Sequence, residues 1–185
     1  MSPNAPRQLF TLIVFSENSV GLLNQVSNIF TRRGLNLEDV SASPSSIPGV
    51  HKLTLTCWAD LPTMEKVVKQ IEKRIDVLKV HLYTDDDIVY QEIALYKVST
   101  QRLLEEQYLE SIIRQFAVRI LEMTPEYTVL EKAGHRDETK ALFDVLKQYD
   151  LRQFVRSGRV CVSKSPIEYI DQFLEEQELR QNLEC

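Results

Sequence analysis

Glycine is scarce in this 185-residue chain, and its five examples, Gly21, Gly34, Gly49, Gly134 and Gly158, form neither GxGxxG nor GxxxxGK[ST]. The usual phosphate-cradling loops are therefore excluded. Cysteine is scarcer still: Cys57, Cys161 and Cys185 lie far apart, are odd in number and include no CxxC pair. That excludes a disulfide framework and a zinc knuckle and points to a reducing compartment. Long apolar runs are missing too. Stretches such as Leu12 to Phe15 are strand-sized, and Met1 to Gln8 has no apolar core of signal-peptide length. No membrane segment is expected, and the expected location is cytoplasmic. Positive charge is likewise sparse, with a net charge of −5 and no basic cluster larger than pairs such as Arg32-Arg33. A nucleic-acid surface, which needs a basic stripe, does not fit.

What remains is an ordinary folded composition, 43% hydrophobic and 26% charged. The length suits two small domains of roughly 80–90 residues better than a large enzyme. Leu9 to Phe15 is almost continuously apolar and β-prone, as in a central strand covered on both faces. Leu22, Leu23, Val26, Ile29 and Phe30 then follow helical spacing, with Arg32 and Arg33 expected in the last turn and Gly34 as a left-handed C-cap. Leu35 to Ser43 reads as a polar edge strand, and Pro44 and Pro48-Gly49 mark a loop. His51 to Trp58 alternates, with Leu53, Leu55 and Cys57 on one face. Asp60 caps a second helix that has Pro62 in its first turn and Met64, Val67, Val68 and Ile71 on its stripe. Leu78, Val80 and Leu82 form a fourth strand. The order β-α-β-β-α-β over about 75 residues is the ferredoxin-like pattern.

Asp85-Asp86-Asp87 makes a solvated break, and the second half repeats the order. Val89 to Val98 is a strand, and Thr100 to Phe116 is a helix carrying Leu104, Tyr108, Ile112 and Phe116. Val118 to Met123 and Tyr127 to Ala133 flank Thr124-Pro125-Glu126 as a hairpin. Asp137 is expected to cap a helix with Ala141, Leu142, Val145 and Leu146 inside, and Leu151 to Val162 closes the unit with a break at Ser157-Gly158. The expected class is α+β with two tandem ferredoxin-like domains, residues 1–84 and 88–164. A helical tail over residues 165–185 carries Ile167, Ile170, Phe173 and Leu174.

Catalytic constellations are hard to find. His51, His81 and His135 stand alone and read as surface residues, and Asp85-Asp86-Asp87 lacks the alternating spacing of a calcium loop. Ser163-Lys164 beside Cys161 does not make a nucleophile and base, because neighbours on a strand point to opposite faces. Cys57 follows the apolar register as a small core residue. No catalytic or metal-binding residue is assigned.

The junction Glu17-Asn18-Ser19-Val20-Gly21-Leu22-Leu23 is different. A strand ends and a helix begins there, so first-turn N–H groups lack intrahelical acceptors and can receive a carboxylate or phosphate. Gly21 permits close approach to the backbone, and Asn18 offers both a donor and an acceptor. The alternative is that Asn18 or Ser19 simply caps the helix. Asn36 is either a turn residue after Gly34 or a second polar contact, brought to a partner's helix start if two copies pair along Leu37 to Ser43.

The residues that carry this junction resemble a known family. Leu12-Ile13-Val14-Phe15-Ser16-Glu17-Asn18-Ser19-Val20-Gly21-Leu22-Leu23 and Ile29-Phe30-Thr31-Arg32-Arg33-Gly34-Leu35-Asn36-Leu37 look like an ACT domain. Together with Arg74 to Val80, Glu92 to Val98, Thr124 to Val129 and Val155 to Gly158, they resemble the regulatory small subunits of acetolactate synthase across roughly Leu9 to Val162. The resemblance implies a non-catalytic homodimer that binds a branched-chain amino acid, usually valine, between its ACT domains. It also implies a large catalytic subunit, carrying thiamine diphosphate, Mg²⁺ and FAD, that this chain activates and makes feedback-sensitive. Asn18, Gly21 and Asn36 match the family's effector-binding positions, and the expected contact set is Asn18, Ser19, Val20, Gly21, Leu22, Leu23, Asn36 and Leu37. Asn24 departs from the smaller residue usual there, as do the loop Pro44 to Gly49 and the tail Ile167 to Cys185. Two rival functions are a free-standing ACT-type amino-acid sensor acting on another protein and a small enzyme with an unrecognised site.

Overall fold

The computed structural model describes residues 6–105 and 109–166. Contacts divide them into one unit up to Val89, joined by the residues from Cys161 onward, and a second unit, Tyr90–Val160. The segment after Cys161 thus groups with the first unit, whereas the sequence pattern alone attaches it to the second. Lys52 Nζ donates to the Cys161 carbonyl at 3.0 Å. Lys164 ties on through its N–H to the Asp87 carbonyl at 2.9 Å and its ammonium to the Asp86 carbonyl at 2.8 Å.

In the first unit the chain runs β1 (Gln8–Glu17), α1 (Leu22–Thr31), β2 (Leu37–Pro44), β3 (Val50–Ala59), α2 (Leu61–Ile71) and β4 (Val77–Tyr83). The strands form an antiparallel sheet in the order β2-β3-β1-β4, so β2 is an edge. Alternation in β1 sends Phe10, Leu12 and Val14 to the same core as Leu22, Val26, Ile29 and Phe30 of α1 and Met64, Val67 and Ile71 of α2. Thr11, Ile13 and Phe15, on the opposite face of β1, are buried as well, as expected of a central strand. Each large apolar side chain enclosed in this way contributes roughly 1.5–3 kcal/mol.

Local chemistry fixes the ends of these elements. Asp60 caps α2, its carboxylate accepting from Thr63 N–H at 2.9 Å and from Thr63 Oγ1–H at 2.9 Å. Those two bonds, the side-chain one foremost, hold the Asp60 carboxyl below its ordinary value. Past the end of α1, Gly34 adopts φ 64°, and Leu35 N–H reaches back to the Phe30 carbonyl at 3.0 Å, as a left-handed glycine closing a helix requires. Arg32 is the C-cap itself, so both arginines follow the last turn instead of lying within it. In β4 the simple alternation fails. The pairing passes from Phe15↔Lys79 to Ser16↔Val77 through a bulge, which skips Leu78 and puts Val77 into the core in its place.

The second unit is built on β5 (Ile88–Val98), α3 (Thr100–Glu105), α4 (Leu109–Phe116), β6 (Arg119–Met123), β7 (Thr128–Gly134), α5 (Arg136–Leu146) and β8 (Leu151–Arg156), while the first two residues of β5 and, after Val160, β9 (Val160–Ser163) group with the first unit. Its main sheet has the order β6-β7-β5-β8, the same permutation as the first, and β9 also pairs with β5. Both sheets are ferredoxin-like. Three details differ from the sequence pattern. Leu103, not Leu104, is buried on the first helical stretch, while Leu104 is 51% exposed. Tyr108 lies outside the described residues. His135, not Asp137, is the N-cap of α5; its N–H donates to the Glu138 carboxylate at 2.7 Å, leaving Asp137 in the first turn. Ala141 is exposed, and Thr139, Leu142 and Leu146 form the buried stripe. The apolar tail residues Ile167, Ile170, Phe173 and Leu174 lie outside the described residues, as does Cys185.

Candidate functional site

The β1–α1 junction is built by a short backbone device. Glu17 N–H donates to the Asp76 carbonyl at 2.9 Å, holding the end of β1 beside the approach to β4. Ser19 N–H turns back to the Glu17 carbonyl at 3.0 Å, and Leu22 N–H to the Ser19 carbonyl at 3.3 Å. Gly21 then occupies the N-cap position at φ 86°, ψ −1°, with no side chain capping the helix. A side-chain cap by Asn18 or Ser19 is therefore not what the structure contains. Only a residue tolerant of the left-handed region can fill position 21 without strain, which is the local reason for glycine.

This arrangement leaves donors open. Gln25 N–H makes the first bond of the helix, to the Gly21 carbonyl at 3.0 Å, whereas the N–H groups of Val20, Gly21, Leu23 and Asn24 make no hydrogen bond among the described residues. Asn18 and Gly21 are exposed, Ser19 is half-buried and Val20 is fully exposed at the tip. Leu22 departs from expectation: its side chain is in the core at 5% exposure, so it cannot line an open pocket. Leu23, at 45% exposure, is the apolar side chain beside the open donors.

Asn36 is exposed just before β2, and Leu37 packs partly against the core. Their place in the sheet is decisive. Leu37 is level with Cys57, which pairs with Phe10, whereas Asn18 follows Glu17, paired with Val50. Eight residue steps along β1 separate Phe10 from Asn18, about 27 Å at roughly 3.4 Å per step. Within one chain, then, the two halves of the expected contact set sit at opposite ends of the sheet. Antiparallel alignment of two β2 edges would reverse one copy and bring unlike ends together. The β2 edge is suited to this, with exposed Val40 and Ala42 and a row of backbone groups facing outward.

The remaining titratable groups do not assemble a reactive centre. His81 is half-buried, not a surface residue, lying between the rings of Phe15 (6.2 Å) and Tyr83 (5.9 Å). Burial, aided by the Lys79 charge, holds its pKa below the ordinary value. His135 meets Tyr90 edge-on at 4.5 Å. Burial pushes the Cys57 thiol up, away from the reactive thiolate. Asp87 accepts from Thr84 N–H at 2.8 Å and Thr84 Oγ1–H at 2.7 Å, which makes it a turn residue. Among the described residues no group of three or more His, Cys, Asp or Glu is placed to hold a metal.

Comparison with known proteins agrees with this construction. Residues 12–79 match the model of the acetolactate synthase small subunit-like ACT domain, and residues 91–165 match that of the small subunit of acetolactate synthase. The first unit, with its exposed helix start and open edge strand, thus defines a regulatory protein of the ACT class. The acetolactate synthase small subunit of Mycobacterium bovis is 30% identical over 156 residues, covering 84% of this chain and 92% of that one. The Bacillus subtilis small subunit is 28% identical over 159 residues, 85% and 91% of the two chains. The crystal structure of the small subunit from Thermotoga maritima superimposes with a TM-score of 0.77 at 25% identity, covering 86% of this chain and 99% of that one. This chain belongs to the family of acetolactate synthase small subunits.

Proposed function

We propose that this chain binds valine between two copies of its ACT domain and transmits feedback inhibition to a large catalytic subunit of acetolactate synthase, which it also activates. The observation that carries the reading is the set of open N–H groups around Gly21, at the far end of the sheet from Asn36. Valine's carboxylate meets the N–H groups of Val20, Gly21, Leu23 and Asn24, its ammonium meets oxygens near Asn18 and the partner's Asn36, and its isopropyl group lies near Leu23 and the partner's Leu37. A pocket of this kind separates valine from leucine or isoleucine by only about 1–3 kcal/mol, so overlapping effectors are expected.

Thiamine diphosphate, Mg²⁺ and FAD belong to the catalytic subunit, and this cytoplasmic chain holds none of them. Regulation requires valine to bind one arrangement of the dimer more tightly than another, since equal affinity shifts nothing. Reconstitution tests the reading: the chain is mixed with the catalytic subunit of its own organism, and acetolactate is measured with and without valine. Stimulation that valine reverses supports it. Valine binding without any effect on the catalytic subunit would favour a free-standing sensor instead.

A further inference from the structure

The C-terminal ends of α1 and α2 carry a second concave feature, unrelated to the junction at Gly21. A cavity of about 540 Å³ is lined by Ile29, Arg32, Arg33, Gln70, Lys73 and Arg74. Four of its six lining residues are cationic in a chain whose net charge is −5. None of the four forms an ion pair among the described residues, although the same helix end does pair Glu72 with Lys79 at 3.8 Å.

Helix ends explain only part of this charge. Each helix C-terminus carries about half a negative charge, so two of them offset roughly one of four cations and leave about three. Like charges held together without counter-charges cost stability, which makes an unneutralised cluster in an acidic protein informative. The side chains are also positioned. Arg33 Nε donates to Gln70 Oε1 at 3.1 Å, which fixes its guanidinium between the two helices and leaves its terminal nitrogens available. Arg74 also lines the cavity, and its Nε lies out of water without a hydrogen-bond partner, so the guanidinium as a whole is under-satisfied. A lining guanidinium that lacks an acceptor is best satisfied by an anionic one.

We propose that this cleft binds a small, multiply charged anion of the polyphosphate or polycarboxylate kind, gripped by the guanidinium groups of Arg33 and Arg74 with Arg32 and Lys73 as flanking charges. Planar guanidinium groups bind phosphate and carboxylate in a bidentate manner, and three excess charges call for a ligand with several. The inference concerns the first unit alone and does not depend on valine binding.

The test is calorimetric titration of the full chain at low ionic strength with inorganic tripolyphosphate in one arm and citrate in another. Binding in either arm is expected and identifies the source, and it should weaken steeply with added salt. Arg33→Ala combined with Lys73→Ala, and separately Arg74→Gln, should each weaken binding by about tenfold or more, while Lys147→Ala in the second unit should not. Circular dichroism of each variant separates lost binding from lost folding. The proposal is overturned if neither anion binds or if the cleft variants bind as tightly as the unsubstituted chain.

Discussion

Replacing Gly21 separates backbone strain from charge at the proposed effector site. At φ 86° a Cβ meets no atom within 4 Å, so the penalty for a side chain is conformational rather than steric. For most residues that penalty is about 1–2 kcal/mol, and it is smaller for Asn and Asp, which visit the left-handed region more readily. Gly21→Asn and Gly21→Asp should therefore fold alike, with melting temperatures within a few degrees of each other. They should part on valine. A carboxylate about 4 Å from the bound carboxylate adds roughly 1 kcal/mol of repulsion in a water-like environment and about 4 kcal/mol at the effective dielectric of a protein surface, a loss of about fivefold to a thousandfold. Asn adds no charge and should bind valine at least about fivefold more tightly than Asp does. The assay is valine inhibition of the reconstituted enzyme, with stimulation in the absence of valine as the folding control. Equal inhibition constants for the Asp and Asn variants would refute the placement of a carboxylate at this helix start.

Three further expectations rest on other parts of the molecule. Val40→Asp, on the 43%-exposed edge residue of β2, should convert a dimer to a monomer by light scattering while leaving the circular dichroism spectrum intact; an undisturbed dimer would place the interface elsewhere. Met64→Ala empties a fully buried site in the first core and should cost about 2–5 kcal/mol in urea unfolding, unless the site collapses around the smaller side chain. Tyr96, whose hydroxyl donates to the Thr139 carbonyl at 2.6 Å, is pushed up to about 12 by burial, against the opposing charge of Arg156. A tyrosine whose folded value is raised keeps its proton when the unfolded chain would lose it. Stability should therefore fall as pH rises from about 10 towards 12, and Tyr96→Phe should flatten that slope.

The fold was legible because its signals are local. Asp60 with Pro62, Gly34, and the alternation of Leu53, Leu55 and Cys57 each act within a few residues, and all three behave as their chemistry requires. The departures arise where a partner in space decides. Leu78 loses its place to Val77 because of a bulge in pairing with β1, which no pattern within β4 announces. Leu103 replaces Leu104, and Thr139 replaces Ala141, because helical spacings of three and four can be drawn through residues one or two positions apart until the sheet beneath fixes the rotation. His135 takes the cap because Glu138 reaches its N–H, a reciprocal contact that makes Asp137 unnecessary there.

The exposed helix start was legible to a similar degree. The spacing of Asn18 and Gly21 located an exposed helix start, and Gly21 proved more specific than foreseen, serving as the cap through its own left-handed backbone. Leu22 was misleading because a helix's first residue can present its N–H to solvent while its side chain turns inward. The basic cleft escaped notice because Arg32-Arg33 and Lys73-Arg74 are 40 positions apart in sequence and meet only when α1 and α2 pack together.

The central claim, that this chain senses valine on behalf of a catalytic partner, is tested most directly by acetolactate formation in the reconstituted pair. The account predicts a higher rate when the chain is added, and loss of that gain as valine is raised. An unchanged rate with the chain present, with valine equally without effect, would contradict it.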